Sequence, residues 1–310
     1  MTDTLVINPC TTPYRGRFAP SPTGPLHFGS LVAAVGSYLQ ARVQGGEWLV
    51  RMEDVDSART LPGADAAILR TLESLGLEWD GPVIYQSQRL ETYAAALEQL
   101  RRLDAVYPCA CSRREVADSS LAGVEGPIYP GTCRGGLPAG RTARAWRVHT
   151  QGTVIDFHDG LRGNIRHNLA TDTGDFVIRR ADGFYAYQLA VVLDDAAQEI
   201  TEVVRGLDVL QSTPRQIHLQ RLLRLPALSY LHLPIAINAR GEKLSKQTGA
   251  LPLKPEEAVA SLIRVLHFLG QGPPKELATS DLGDVWKWAQ AQAHWRIANL
   301  PKTPSIVVSD

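Results

Sequence analysis

The sequence lacks any long apolar segment and is poor in cysteine. Within its 310 residues no stretch approaches the roughly 18 to 20 consecutive apolar residues of a membrane helix, and the start, MTDTLVINPC, has no basic segment before an apolar one. We therefore expect no membrane partner and a cytoplasmic location. Only four cysteines occur, and three lie between positions 109 and 133, which favours reduced thiols or a metal site over a disulfide framework.

The sequence also has no excess of positive or negative charge, because it contains 32 basic and 32 acidic residues. A nucleic-acid partner usually leaves a basic excess, so any RNA-binding surface must be local. The length fits two domains, or one domain with an insertion. Lysine is scarce, with six lysines against 26 arginines, and the lysine pair Lys243 and Lys246 therefore stands out.

Hydrophobic spacing predicts a strand at 14–19, a helix at 26–42 and a strand at 48–53, the unit from which parallel sheets are built. Two further helices are predicted, and Ser87 is the candidate cap of the second. Glycines, clustered cysteines and alternating segments then indicate a β-rich insertion. The predicted helices of the first half are 63–76 and 88–103, and those of the C-terminal region are 255–269 and 281–297. The predicted divisions are a first catalytic half (1–106), an inserted subdomain (107–174), a second catalytic half (175–250) and a C-terminal helical region (251–310).

Two segments are suited to phosphate. The first, PLHFGS, stands between a predicted strand and a predicted helix, where free N–H groups and the helix dipole attract anions and His27 can donate a hydrogen bond. The second, KLSKQ, places two lysines three positions apart in a glycine-containing loop, which could close on a leaving pyrophosphate. Taken alone, each has an ordinary structural explanation: a partly buried histidine, or a solvated charged loop.

The segment RFAPSPTGPLHFGSL together with KLSKQ resembles the paired signature motifs of class I aminoacyl-tRNA synthetases, and RFAPSPTGPLH is similar to their glutamate-specific branch. The resemblance runs from Arg17 to Gln247 in the family's order. It implies an α/β fold: a Rossmann-like class I synthetase catalytic domain with an inserted zinc-containing subdomain and a short C-terminal helical region. It also implies ATP with Mg²⁺ and an aminoacyl-adenylate intermediate. ATP would be bound by His27, Gly29, Ser30, Lys243, Ser245 and Lys246, with His27, Lys243 and Lys246 catalytic.

Glutamate carries two carboxylates and one ammonium, so a selective pocket needs arginines for the anions and a carboxylate for the cation. By the resemblance, Arg205 engages a carboxylate, Glu53 faces the ammonium and Tyr187 supplies a hydroxyl. A neutral amide in place of the side-chain carboxylate would leave an arginine partly unpaired, which disfavours glutamine. The first motif adds the remaining substrate-binding residues, which are Arg17, Phe18, Ala19, Pro20 and Ser21.

Four positions depart from the family pattern. Ser30 replaces a second histidine and Gln247 a serine, and both changes leave the cationic groups intact, so adenylate chemistry is expected. Val191 stands where glutamyl-tRNA synthetases often have asparagine, and Val209 where tryptophan is typical. We expect these two changes to lower the affinity for glutamate.

The clustered cysteines provide three thiolates, and tetrahedral Zn²⁺ needs a fourth donor. The general preference of zinc for imidazole makes His149 or His158 a candidate, whereas the family resemblance favours Tyr129. A closed site of this kind would be structural. The metal-binding residues implied by the resemblance are Cys109, Cys111, Tyr129 and Cys133.

A complete glutamyl-tRNA synthetase continues past the lysine loop into helical domains that read the anticodon, whereas this sequence stops at residue 310. That length resembles stand-alone paralogues, the glutamyl-queuosine tRNA(Asp) synthetases, which place glutamate on queuosine at the wobble position of tRNA(Asp). The partners implied are the tRNA(Asp) anticodon stem-loop, ATP and L-glutamate. The sequence leaves the oligomeric state open, and a monomer is the working expectation.

Three alternatives compete with that interpretation. The chain could be a non-discriminating glutamyl-tRNA synthetase acting on a tRNA 3′ end, another adenylyltransferase such as a pantothenate-synthetase-like enzyme, or a non-catalytic RNA-binding paralogue. An intact His27 and lysine pair argue against the last, and the set of Arg17, Glu53 and Arg205 argues against a pantoate pocket. Labelling of tRNA(Glu) in place of tRNA(Asp) would select the first.

Overall fold

The structure, a computed structural model, describes residues 13–119, 121–123, 126–244, 253–291 and 295–308. Its helices are α1 (Phe28–Val43), α2 (Ala64–Ser74), α3 (Leu90–Arg102), α4 (Arg113–Ser119), α5 (Tyr187–Ala197), α6 (Thr213–Leu223), α7 (Ala258–Phe268) and α8 (Leu282–Gln290). Its strands are β1 (Arg15–Phe18), β2 (Glu47–Met52), β3 (Ile84–Tyr85), β4 (Val106–Cys109), β5 (Leu121–Gly123), β6 (Gly126–Ile128), β7 (Ala145–Val148), β8 (Val154–Asp159), β9 (Gly163–Asn168), β10 (Val177–Arg179), β11 (Glu202–Gly206), β12 (Ser229–Leu233), β13 (Ile235–Ile237) and β14 (Ser305–Val307).

A parallel sheet forms the centre of the molecule. Strands β3, β2 and β1 lie side by side in parallel, as do β11 and β12. The two groups meet where the backbone N–H of Thr201 donates to the carbonyl of Arg15 at 2.9 Å, giving the order β3-β2-β1-β11-β12. Helix α1 follows β1 and packs against both groups. This arrangement confirms the Rossmann-like α/β fold expected from the sequence.

Helix α1 is buried on nearly all sides, although its spacing indicated one apolar face. Its second face is covered by the C-terminal region: helices α7 and α8 share one apolar cluster with it, and the indole Nε1 of Trp295 donates to the Gln40 side-chain carbonyl at 2.8 Å. Trp286 similarly donates to the carbonyl of Leu75 at 2.7 Å. The C-terminal region therefore completes the core of the catalytic sheet, since a helix that is apolar all round must be covered on every side.

The inserted part of the chain forms more than one sheet. Strands β4, β7 and β10 make an antiparallel sheet, β5 and β6 form a hairpin, and the β8–β9 hairpin joins the edge of β12. Pairing therefore crosses the predicted limits of 107–174, because the second hairpin belongs with the catalytic sheet and β10 lies beyond residue 174. Alternating side chains indicate a strand but not its partner.

Two local predictions were wrong. Ser87 does not cap α3, because a 3-10 turn (Gln86–Arg89) precedes that helix and both the N–H and the hydroxyl of Ser87 donate to the Asp54 carboxylate. The predicted helix at 281–297 ends at Gln290, and its residues 292–294 lie outside the described part of the chain. Ile297–Asn299 form a short 3-10 turn, which is followed by β14, paired with β13. Among the described residues, none of the helices combines the length and the apolar character that a bilayer crossing requires.

Candidate active site

A cavity of about 850 Å³ opens at the carboxyl ends of β1, β2, β11 and β12, the edge at which open parallel sheets bind ligands. Its size lies within the range of small-molecule sites. Every predicted substrate or nucleotide residue within the described part of the chain lines it. These residues are Arg17, Phe18, Ala19, Pro20, Ser21, His27, Gly29, Ser30, Glu53, Tyr187, Arg205 and Lys243. Ser245 and Lys246 lie outside the described residues.

One end of the cavity is formed by the start of α1. His27 is the N-cap residue, and its Nδ1 accepts a hydrogen bond from the Ser30 N–H at 3.3 Å, which leaves the ring proton of neutral His27 on Nε2. The first turn of α1 contains no acidic residue, so the positive end of the helix dipole is not offset. Close packing favours glycine at position 29, because a Cβ there would lie 3.3 Å from the Leu244 carbonyl oxygen and from the His27 ring. This end can hold an anion such as phosphate.

The second motif reaches the same end of the cavity from the other half of the sheet. Lys243 follows β13 and forms a bridge with Ile237, and its ammonium group pairs with the carboxylate of Asp208, another cavity residue. The carbonyl of Leu244 contacts the α1 turn at Gly29. The described start of the second motif therefore lies beside the first, although the two are far apart in sequence. The lysine's partner Asp208 was not predicted from the sequence.

The other end of the cavity holds buried charges. The Arg17 guanidinium donates to the Asp195 carboxylate at 3.1 and 3.4 Å, and Arg51 donates to the same carboxylate at 2.7 Å. Burial alone would raise the pKa of Asp195, but the two guanidinium groups hold it below its usual range. Arg51 and Asp195 were not predicted from the sequence. The available signal was a charged residue inside an apolar strand or helix segment, where only a buried partner makes it tolerable.

Glu53 lies at the end of β2 beside this network. Its Oε1 has no hydrogen-bond partner among the described residues, and Arg51 approaches it only to 3.7 Å. Burial raises the pKa of Glu53 to about 7, although Arg51 and Arg17 act in the opposite direction. An ammonium group placed here would satisfy the carboxylate and favour its charged form.

Arg205, at the end of β11, extends toward the same pocket. Its Nη1 donates to the Tyr187 hydroxyl at 3.2 Å, its Nη2 to the Thr213 hydroxyl at 2.8 Å and its Nε to the His232 ring at 3.1 Å. These three acceptors have no formal charge when the histidine is neutral. Within the part of the chain that the structure describes, Arg205 is thus held in place without a carboxylate in direct contact, and its positive charge is available to an anionic ligand.

The two valines that depart from the family pattern, Val191 and Val209, have different positions. Val191 is fully buried in the apolar cluster between α3, α5 and α6 and does not line the cavity. Val209 lines the cavity. An effect on substrate affinity is therefore expected at Val209, whereas Val191 contributes to packing.

A second cluster lies in the inserted part of the chain. The three sulfur atoms of the cysteines lie within 4.8 Å of one another, and the Tyr129 hydroxyl is 3.4 Å from one sulfur and 3.5 Å from another. The Cys111 and Cys133 sulfurs are 3.7 Å apart. With Zn–S bonds of about 2.3 Å and a Zn–O bond of about 2.0 Å, a tetrahedron has edges of roughly 3.8 and 3.5 Å. The donors fit a zinc ion, and the cluster consists of Cys109, Cys111, Cys133 and Tyr129.

Neither candidate histidine belongs to this cluster. The ring of His149 packs against Tyr107 with centroids 4.5 Å apart, and the His158 Nδ1 contacts the Asn164 side-chain oxygen at 2.8 Å. Arg147 instead contacts the cluster: its guanidinium carbon lies 3.8 Å from the centroid of the Tyr129 ring, and its Nε donates to the Cys109 sulfur at 3.4 Å. Burial raises the pKa of Cys109, but hydrogen bonds from Tyr129 and Arg147 bring it below the ordinary value.

Fold and cavity together define an α/β domain whose ligand cavity combines a helix start suited to anions with buried charged side chains. The family model for "tRNA synthetases class I (E and Q), catalytic domain" matches residues 14–125 and 140–260. The chain therefore belongs to this family of class I tRNA synthetases, and it is a ligase. The predicted resemblance is confirmed.

The relatives that carry a specific name are similar over almost their whole length. A glutamyl-Q tRNA(Asp) synthetase of Dechloromonas aromatica is 60% identical, with 96% of this chain and 99% of the relative covered. One of Chromobacterium violaceum is 52% identical, with 94% and 96% covered. The crystal structure of a glutamate-tRNA synthetase from Elizabethkingia anophelis is similar with a TM-score of 0.79 and 25% identity, covering 96% of this chain and 68% of that one.

Proposed function

We propose that this chain activates L-glutamate with ATP and transfers the glutamyl group to queuosine at the wobble position of tRNA(Asp). The observation that carries the proposal is the single cavity in which a helix start suited to phosphate faces a buried pocket of arginines and one carboxylate. The high identity to relatives named glutamyl-Q tRNA(Asp) synthetase supports the choice of acceptor.

In the first step, a carboxylate oxygen of glutamate attacks the α-phosphorus of magnesium-bound ATP and pyrophosphate leaves. His27 and the N–H groups at the start of α1 bind phosphate oxygens, and Lys243 exchanges its Asp208 partner for pyrophosphate. Lys246 and Ser245 are proposed to act from the same loop. Catalysis then depends on positioning and on stabilising phosphate charge.

Glutamate is selected at the opposite end of the cavity. Glu53 receives the ammonium group, Arg17 and Arg205 bind carboxylates, and Tyr187 contributes its hydroxyl. Because Arg205 has only neutral partners here, binding of glutamine in place of glutamate would leave its buried charge uncompensated. The remaining residues of the first motif, Phe18, Ala19, Pro20 and Ser21, shape the pocket wall.

In the second step, a hydroxyl of the queuosine ring attacks the acyl carbon of the adenylate, and AMP leaves with the bonding electrons. An anticodon loop presents its bases in a nearly unstacked state, which suits an enzyme that must reach one base. The tRNA(Asp) anticodon stem-loop would then occupy the surface at the mouth of the cavity, with the enzyme acting as a monomer.

We also propose that the cysteine cluster holds a structural Zn²⁺ through Cys109, Cys111, Cys133 and Tyr129. The sulfur and oxygen distances match the edges of a zinc tetrahedron. Zinc would link β4 to the loop that contains Cys133 and thereby organise the insertion. With all four donors supplied by the protein, the ion has no open position for substrate.

The test uses purified protein, ATP and radiolabelled glutamate with three acceptors: tRNA(Asp) containing queuosine, tRNA(Asp) from cells unable to make queuosine, and tRNA(Glu). We expect label only on the first. Label on tRNA(Glu) would establish the 3′-end activity instead, an outcome favoured by the structural similarity to glutamate-tRNA synthetase. Absence of glutamate-dependent pyrophosphate exchange would refute the activation step itself.

A further inference from the structure

A chain of three buried side chains leads away from the pocket behind Arg205. The Nε of Arg205 donates to the Nε2 of His232 at 3.1 Å, and the Nδ1 of His232 lies 2.6 Å from a carboxylate oxygen of Asp159. His232 and Asp159 have no solvent exposure, and Arg205 has 6%. His232 belongs to β12, whereas Asp159 ends β8 of the hairpin that joins its edge.

The direction of each hydrogen bond follows from the chemistry of its ends. Arginine can only donate, so the Nε2 of His232 must be the unprotonated, accepting nitrogen. The ring proton is then on Nδ1 and is donated to Asp159. Burial lowers the pKa of His232 to about 4, despite the opposing effect of Asp159, so the ring is neutral at physiological pH. Asp159 therefore fixes the orientation of the Arg205 guanidinium through His232, and the carboxylate itself does not contact the guanidinium.

Arg17 shows the alternative construction. Asp195 binds that guanidinium directly, so most of its charge is compensated inside the protein. Among the described residues, Arg205 donates hydrogen bonds to the ring of His232 and two hydroxyl groups, and its guanidinium also lies over the Tyr230 ring, so its partners carry no formal charge. The neutral His232 ring fixes the plane of the guanidinium and leaves its positive charge for the ligand. This is useful in a residue that must distinguish a carboxylate from an amide.

We propose that His232 and Asp159 are positioning residues for glutamate recognition: Asp159 fixes the Nδ1–H tautomer of His232, and His232 holds Arg205 toward the substrate carboxylate. This inference rests on the proposed function. The competing explanation is purely structural, since Asp159 also accepts hydrogen bonds from the backbone N–H groups of Leu161, Arg162 and His232 and could simply fasten the hairpin to β12.

Two substitutions of one residue separate the explanations. In His232→Asn the side-chain NH₂ takes the place of Nδ1 and can still bind Asp159, but the acceptor for Arg205 is lost. In His232→Gln the longer side chain can place its oxygen near the position of Nε2 and keep that acceptor. The positioning role predicts a defect in the asparagine variant and rescue in the glutamine variant, whereas a purely structural role predicts the reverse.

The readout is glutamate-dependent pyrophosphate exchange. We expect His232→Asn to raise KM for glutamate 10- to 100-fold, the usual effect of a lost hydrogen bond to a charged group, with KM for ATP changed less than twofold. His232→Gln should stay within threefold of wild type for both substrates. The matched control is His218→Asn, at a buried histidine on α6 whose ring contacts the His149 carbonyl instead, and it should leave KM for glutamate unchanged. An unchanged KM in folded His232→Asn overturns the proposal.

A second measurement needs no variant activity. Two-bond ¹H–¹⁵N spectra of ¹⁵N-histidine-labelled wild-type protein at pH 7, assigned with His232→Gln, should show His232 protonated on Nδ1 alone. Protonation on Nε2 overturns the proposal even if the asparagine variant does not fold. If wild-type protein fails to activate glutamate while the predicted tautomer is observed, the proposed function is wrong, but the hydrogen-bonded chain from Asp159 through His232 to Arg205 stands.

Discussion

The cysteine cluster and the amino-acid pocket place charged or ionisable groups at close range, but the chain builds them in opposite ways. All donors of the cluster come from residues 109–133, on strand ends and turns that are close in sequence. The pocket takes its groups from β1, β2, α5 and β11, so Arg17 and Arg205 meet only after the sheet has assembled. One site depends on local chain geometry, the other on the whole fold.

The two sites also balance charge differently. In the cluster, three sulfurs face one another and one of them accepts a hydrogen bond from Arg147, so a bound cation is the natural counter-charge when the thiols ionise. In the pocket, Arg17 and Arg51 share the Asp195 carboxylate, whereas Glu53 and Arg205 are left for a ligand. Substitutions in the cluster should therefore weaken metal binding, whereas substitutions in the pocket should lower stability or weaken substrate binding.

The largest effect is expected from Asp195→Asn. This change removes the carboxylate shared by Arg17 and Arg51, two guanidinium groups that are almost inaccessible to solvent. Loss of one partner of a buried ion pair typically costs about 3–5 kcal/mol, because the remaining charge stays buried. Urea unfolding at pH 7.5 should show this loss. Asp156→Asn, which affects an exposed pair with Arg166, should change stability by under about 1 kcal/mol. Equal stability of the two variants would contradict the pocket's dependence on internal compensation.

The difference between a site built from neighbouring residues and one assembled from distant elements also explains which features could be predicted from the sequence. The clustered cysteines and the two signature segments are recognisable because their spacing is local, and α1 and its flanking strands follow from periodicity. Arg51 and His232 have no local signature, since the aspartates to which they are hydrogen-bonded, Asp195 and Asp159, lie 144 and 73 positions away. Hydrophobic periodicity likewise does not encode the pairing of the β8–β9 hairpin with β12 or the end of α8 at Gln290, because both depend on tertiary packing.

A smaller effect is expected when the charge beside the cluster is removed. Arg147→Gln eliminates the guanidinium that contacts the Tyr129 ring and the Cys109 sulfur but leaves all four donors. Loss of a group that supports metal ligands usually weakens metal binding by 10- to 100-fold. Competition with a chromogenic zinc chelator measures the affinity. Arg144→Gln, at an exposed arginine of the same segment, is the control. Equal zinc affinity in the two variants would show that the cluster balances its charge without Arg147, and pyrophosphate exchange should change less than twofold in both.

The smallest effect concerns the pH dependence of the pocket. Because the pKa of Glu53 is raised to about 7, free enzyme carries a largely protonated Glu53 below that pH, and the substrate ammonium loses its partner. We expect kcat/KM for glutamate to fall by up to about tenfold per pH unit below 7, with kcat/KM for ATP measured in parallel as the control. The same burial makes the charged carboxylate costly, so this group's contribution to stability falls as pH rises from 4.5 through 7. Glu53→Gln should therefore lose glutamate activation yet unfold at a higher temperature than wild type at pH 8. A glutamate profile that is flat down to pH 5 would mean that Glu53 is an ordinary carboxylate and that burial in the pocket does not raise its pKa.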